Sequence, residues 1–176
     1  MSQYAMKKLF LILLMVFVSS SVTVASETEM EYKLKALYIT RLADFIVWPD
    51  IAKKKTFKIC IDSTDKVAIQ LKQIKLDAIL NRQVEIINYP SETLTSECNF
   101  LYISHDKVDL SLVNTPVFTL SSQTDFAERG GMIEFYIDHG KVRMKANLYA
   151  VNQAGLKVSS KLLRLLKIVK QMEGSE

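Results

Sequence analysis

The sequence predicts an α/β fold: a three-layer mixed sheet, parallel in its first half, that continues into a β-hairpin and ends on a C-terminal helix. Three observations carry this. Between Glu31 and Ser121, helical and strand-like segments alternate, as they do when crossover helices cover parallel strands. Residues 132–137 and 142–148 are strand-like runs separated by Asp138, His139, Gly140 and Lys141, which is a hairpin signal. The chain then closes on an apolar stripe at helical spacing.

Taken in order, residues 1–25 read as a cleavable signal peptide, with Lys7 and Lys8 as its basic start. The unbroken apolar run from Leu9 to Val18 follows, then a small-residue stretch in which Thr23 and Ala25 suit the cleavage positions. About 10 apolar residues make a helix of about 15 Å, half of what a bilayer core requires. The leader is therefore expected to export the chain rather than anchor it.

Removing 25 of the 176 residues leaves 151, residues 26–176, which suits one domain with its own core. Lys7 and Lys8 leave with the leader, so 21 basic side chains face 19 acidic ones in the exported part, a net charge of +2. That balance argues against nucleic acid as a partner.

Residues 31–47 form an amphipathic helix in which Leu34, Leu37, Tyr38, Leu42, Phe45 and Ile46 share a face while Lys33, Lys35 and Arg41 point away. Pro49 stops it, because the residue before a proline is pushed out of the helical region. Residues 57–61 (FKICI) are a strand, and Asp62, Ser63, Thr64 and Asp65 can cap a helix over 66–80. Further strands are expected at 83–89, 99–104 and 115–121, with a polar loop or short helix at 91–97 and a weak helical patch at 110–113. In the second hairpin strand Val142, Met144, Ala146 and Leu148 alternate with Arg143, Lys145 and Asn147, which suggests one wet face. The closing helix spans 159–172, capped by Ser159 or Ser160 and buried through Leu162, Leu163, Leu166, Ile168 and Val169.

Cys60 and Cys98 are the two cysteines, and both lie in the exported part. In an oxidising compartment an isolated pair is most simply one disulfide, two buried free thiols being the alternative. Their separation of 38 residues excludes a CxxC redox motif, and without a neighbouring histidine they make no zinc site.

The sequence carries no HExxH, GxSxG or Walker A motif. His105 and His139 each sit in a polar turn and read as solvated side chains. Gly130 and Gly131 precede a strand rather than a helix, so a tight turn suits them better than a phosphate cradle. Trp48 is either core or an aromatic anchor for a partner. Lys161, Arg164, Lys167 and Lys170 form a basic strip on the last helix, either a solvated face or one that meets an acidic partner or anionic headgroups.

The helix KALYITRLADFIVWP, the strand FKICIDS, the segments SECNFLYIS and TPVFTLS, and the run FAERGGMIEFYIDHGKVRMKANLYAVNQAGLKVSSKLLRL together resemble the YfiR family of bacterial periplasmic proteins. The most specific pieces are the WP that ends the first helix, GGMIEF, the Asn147 segment and AGLKVSSKLL. The resemblance covers essentially the whole exported chain. It implies a small α/β regulator, usually dimeric and without enzymatic activity or cofactor.

The family's founding member represses an inner-membrane diguanylate cyclase by binding its periplasmic part, and an outer-membrane lipoprotein relieves the repression. The resemblance matches Cys60 and Cys98 to that protein's strand-to-strand disulfide. Its second, more labile cysteine pair has no counterpart, since residues 123–135 contain no cysteine. The resemblance also places Lys157 and Ser159 at a small-ligand pocket, whose character they keep only in part.

Two functions are therefore expected for this chain. The first is a periplasmic negative regulator that lowers cyclic di-GMP by docking on an inner-membrane cyclase or other sensor, through Trp48 and exposed apolar neighbours near Met132 and Ile133. The second is a small-ligand-binding accessory module of a membrane sensor kinase or cyclase.

Overall fold

The computed structural model describes residues 22–74, 76, 78–89, 97–104 and 116–170. Most of the leader, His105, most of the loop expected over 91–97 and the patch at 110–113 lie outside the described residues. The fold is the predicted α/β arrangement, built on a seven-stranded, mostly parallel sheet with a two-stranded antiparallel one beside it.

Helix α1 (Val22–Leu42) ends five residues before the expected stop, in a 3-10 turn over Ala43–Phe45 and a short strand β1 (Ile46–Val47). The chain turns early because Trp48 folds back: its Nε1 donates to the Ala43 carbonyl oxygen at 3.3 Å, and its ring stands edge-on to Phe57 and Phe100. The buried face of α1 is also rotated from the expected one. Ala36, Ile39, Leu42 and Ala43 meet the core, the alanines letting the helix approach closely, while Leu37 is 41 % exposed and Lys35 only 4 %.

Strand β2 (Thr56–Ile61) leads through an Asp65 cap, which accepts from the Val67 N–H at 2.7 Å, into α2 (Lys66–Gln73). That helix is shorter than expected. Leu80 and Asn81 both take positive φ, in a tight turn closed by paired backbone bonds between Ile79 and Arg82, and this aims the chain into β3 (Gln83–Asn88). Strands β4 (Phe100–Ile103) and β5 (Phe118–Ser121) follow.

The hairpin β6 (Ile133–Asp138) and β7 (Lys141–Ala146) closes through His139 and Gly140, both at positive φ as the right-handed twist of a two-residue hairpin requires. Beyond it the chain departs from expectation. Asn147 caps a helix α3 (Leu148–Gln153), β8 (Lys157–Val158) pairs antiparallel with β1, and the closing helix is a single turn, α4 (Ser160–Leu163), capped by Ser159. Leu166–Ile168 leaves helical geometry to become β9, parallel to β7, because the open edge of β7 offers hydrogen-bonding groups that a helix would leave unmet. Of the stripe expected to be buried, Leu162 is core, whereas Ile168 is 48 % exposed.

The sheet runs β3-β2-β4-β5-β6-β7-β9, its first five strands mutually parallel. Period-2 alternation sends Phe57, Ile59, Ile61, Phe100, Tyr102, Phe118, Leu120, Ile133 and Phe135 to the face covered by α1 and α2. The opposite face carries a smaller cluster around Cys60, Cys98, Leu101, Ile103, Val117 and Phe126.

Candidate functional site

At the apolar end of that second face, Cys60 of β2 and Cys98, just before β4, are joined by a disulfide with a Cα–Cα separation of 5.8 Å. Both are fully buried. Beside it, Asn99 binds three backbone partners: its N–H donates to the Lys58 carbonyl oxygen, its Oδ1 accepts from the Lys58 N–H, and its carbonyl accepts from the Phe118 N–H. Asn99 thus fixes where β4 and β5 start against β2. Nothing in its spacing marked it, since an asparagine at a strand mouth reads as a turn residue.

Toward the hairpin the same face becomes polar. The Gly131 N–H donates to the Phe126 carbonyl, and a Cβ on Gly131 would lie 2.1 Å from the Phe126 ring, so only glycine lets the loop over 122–131 fold back on the sheet. Lys145 sits under this loop, with Nζ 3.0 Å from Glu128, 3.1 Å from Glu134 and 3.8 Å from Asp125.

Burial pushes the Glu128 carboxyl up, but the hydrogen bond and charge of Lys145, a backbone hydrogen bond and a hydrogen bond with Glu134 together outweigh it and hold the group below its ordinary value. Burial likewise presses Lys145 down, and the two carboxylates reverse this and raise it. The face expected to be wet stays exposed at Arg143 but is roofed toward the end of β7: Lys145 is ion-paired and Asn147 is fully buried, donating through Nδ2 to the Ala127 carbonyl. GGMIEF and the Asn147 segment belong to this one assembly.

The residues expected at a partner surface are buried instead: Trp48 is 7 % exposed, Met132 4 % and Ile133 0 %. Trp48 packs among Phe57, Phe100 and Phe118, and Met132 and Ile133 enter the main core as β6 begins. Lys157 is exposed in β8 opposite Val47, and Ser159 is held as the α4 cap, its N–H donating to the Phe45 carbonyl. Lys161, Arg164, Lys167 and Lys170 are all exposed, but with the helix cut short they no longer share one helical face. His139 is solvated at the hairpin tip, hydrogen-bonded to Asp138.

A crevice of about 210 Å³ opens at the carboxyl ends of the parallel strands. It lies where the strand order reverses, with β2 leading to β3 on one side and to β4 on the other, the place at which open α/β sheets bind ligands. Tyr102 and Ser104 from the end of β4, and Ser122 and Gln123 after β5, form its floor. Helix α1 supplies Glu31, Tyr32 and Lys35, and Asp65 closes the side.

Lys35 is hydrogen-bonded to Glu31 and lies 5.8 Å from the centre of the Tyr32 ring. The Tyr102 hydroxyl meets Ser122 Oγ at 2.8 Å, and burial pushes its phenol well above the ordinary value. Sequence reasoning missed this crevice, because it joins residues from four separate segments.

Among the described residues no group of three or more histidine, cysteine or acidic side chains could hold a metal, and no helix is long and apolar enough to cross a membrane. The fold and these sites define an open, mixed α/β domain with a stapled strand edge and a roofed hairpin. The chain belongs to the YfiR/HmsC-like family, which it matches over residues 32–166. No individual curated protein matches it.

Proposed function

We propose that this chain is a periplasmic negative regulator that docks on the periplasmic part of an inner-membrane signalling protein, first among them a diguanylate cyclase, and so lowers cyclic di-GMP. The observation that carries this is membership of the YfiR/HmsC-like family over residues 32–166. A leader with the apolar run Leu9 to Val18 supports export, and the Cys60–Cys98 disulfide suits the oxidising space beyond the inner membrane. The buried Trp48 leaves Val47, 59 % exposed beside it, as the apolar side chain we place in the partner contact. An outer-membrane lipoprotein that relieves repression and a homodimeric state complete the reading.

A tagged copy purified from its native membranes tests it. Mass spectrometry should find an inner-membrane protein with a periplasmic segment and a cytoplasmic cyclase domain; recovery without any such partner counts against it. The crevice at the strand ends favours a second reading, in which the chain reports a small molecule to that membrane protein.

A further inference from the structure

Between His139 and Lys170 the chain carries eight lysines and arginines and no aspartate or glutamate, and with Glu173 and Glu176 counted the C-terminal run still holds a charge of +6. Residues 26–138 carry 13 basic against 17 acidic side chains. The fold gathers the basic excess at one edge of the seven-stranded sheet, where β9 lies beside β7 and α4 leads into it. Of the eight, Lys145 is matched by Asp125, Glu128 and Glu134 beneath the loop. Arg143, Lys161, Arg164, Lys167 and Lys170 are exposed, and none of them is ion-paired among the described residues.

The apolar side chains of this edge are not all covered. Leu165, in the two-residue turn between α4 and β9, is 69 % exposed, and Ile168 is 48 %. Lysine on an edge strand blunts pairing with other strands, but an exposed leucine and isoleucine beside it do not serve that end. No aromatic side chain occurs between Ala150 and Lys170, and three of the five unpaired basic groups are lysine. Protein interfaces are instead rich in aromatics and depleted of lysine. Long basic side chains around exposed leucine and isoleucine suit an anionic lipid surface: the charges stay at headgroup level while the apolar groups enter the boundary beneath.

We propose that the β9 edge, through Arg143, Lys161, Arg164, Lys167 and Lys170 together with Leu165 and Ile168, rests on the anionic phospholipid surface of the inner membrane. The contact keeps the chain in the plane where a membrane partner presents its periplasmic part. The choice of membrane rests on the regulatory reading above, and a failure to bind lipid would leave the co-purification result untouched.

Co-sedimentation with vesicles of phosphatidylglycerol and phosphatidylethanolamine tests the proposal, beside vesicles of phosphatidylethanolamine and phosphatidylcholine. The full chain is exported with its leader and purified from the periplasm, so that the apolar leader is not what binds. It should partition onto the anionic vesicles about tenfold more strongly than onto the zwitterionic ones, or better, and less strongly as salt rises from about 0.05 to about 0.5 M. Lys161→Gln with Arg164→Gln and Lys167→Gln should weaken binding about fivefold per residue, about a hundredfold in all. Leu165→Ser should weaken it about fivefold. Lys33→Gln with Lys55→Gln and Lys72→Gln removes as much charge from exposed sites elsewhere and should change binding less than about twofold. All seven side chains are exposed, and matching melting curves check that each variant keeps the fold. No partitioning onto either vesicle, equal partitioning onto both, or equal weakening by the two triple variants overturns the proposal. Binding indifferent to Leu165→Ser overturns it as well, since it would leave a contact of charge alone, as suited to an acidic protein.

Discussion

Asn147 Nδ2 donates to the carbonyl oxygen of Ala127 at 2.9 Å, a bond across 20 residues that ties the loop over 122–131 to the end of the β-hairpin. The same side chain accepts from the Ala150 N–H at 3.0 Å and so starts α3. Asn147→Ala removes a cap and a buried hydrogen bond to the Ala127 carbonyl, which keeps only its longer bond from the Gly130 N–H, and the two losses together should cost about 2–3 kcal/mol in urea unfolding. Asn147→Asp keeps the cap acceptor but sets a carboxylate against the Ala127 carbonyl, so it should be at least as destabilising as the alanine. If Asn147→Asp were neutral, the bond to Ala127 would carry no weight.

Gly131 makes an independent case, because its constraint is steric. With a Cβ placed 2.1 Å from the Phe126 ring, Gly131→Ala should lose about 3 kcal/mol by overpacking. Removing the ring should remove the clash, so Phe126→Ala combined with Gly131→Ala should lose less than the two single losses added together. Strict additivity would place the strain elsewhere.

Lys145 offsets the carboxylates beneath the loop, and Glu134 is almost wholly buried there. Lys145→Met should therefore cost about 3 kcal/mol, the lower end for breaking a buried pair because the lysine keeps some solvent contact. The pH dependence follows from the shifts. Glu128 is held below its ordinary value of 4.5, so its contribution is present above that pH and is lost as pH falls through the lower folded-state value. Lys145 is raised above 10.5, so its contribution is complete below that and is lost as pH rises through the higher folded-state value. Melting curves across pH should show both losses in the parent, and Lys145→Met should flatten the acid side.

The disulfide closes a loop across a separation of 38 residues. On the chain-entropy model its removal should cost about 4 kcal/mol, a large share of an ordinary domain's stability. Cys60→Ala with Cys98→Ala, compared with the parent in urea, measures it. Equal midpoints would mean that the bridge does not constrain the unfolded chain.

Much of the fold was legible because its signals are local: short runs of strand-forming residues placed the strands from Phe57 to Ser121, alternation placed the second hairpin strand, and the turn at His139 and Gly140 announced the hairpin. What was not legible depends on partners distant in sequence. The run after Ser160 has helical periodicity, yet the free edge of β7 draws Leu166–Ile168 into the sheet. Asn147 looks like a surface residue until Ala127, 20 residues earlier, is brought to it. Trp48, Met132 and Ile133 suggested an exposed patch, but three phenylalanines and the start of β6 enclose them. For the crevice, Glu31, Asp65, Ser104 and Gln123 have no shared spacing to reveal it.

The regulatory role is tested most directly by measuring intracellular cyclic di-GMP by mass spectrometry in a strain lacking this chain, beside the parent and a complemented strain. The level should rise on deletion, with more biofilm, and return on complementation. A nucleotide level unchanged by deletion would contradict the proposed role.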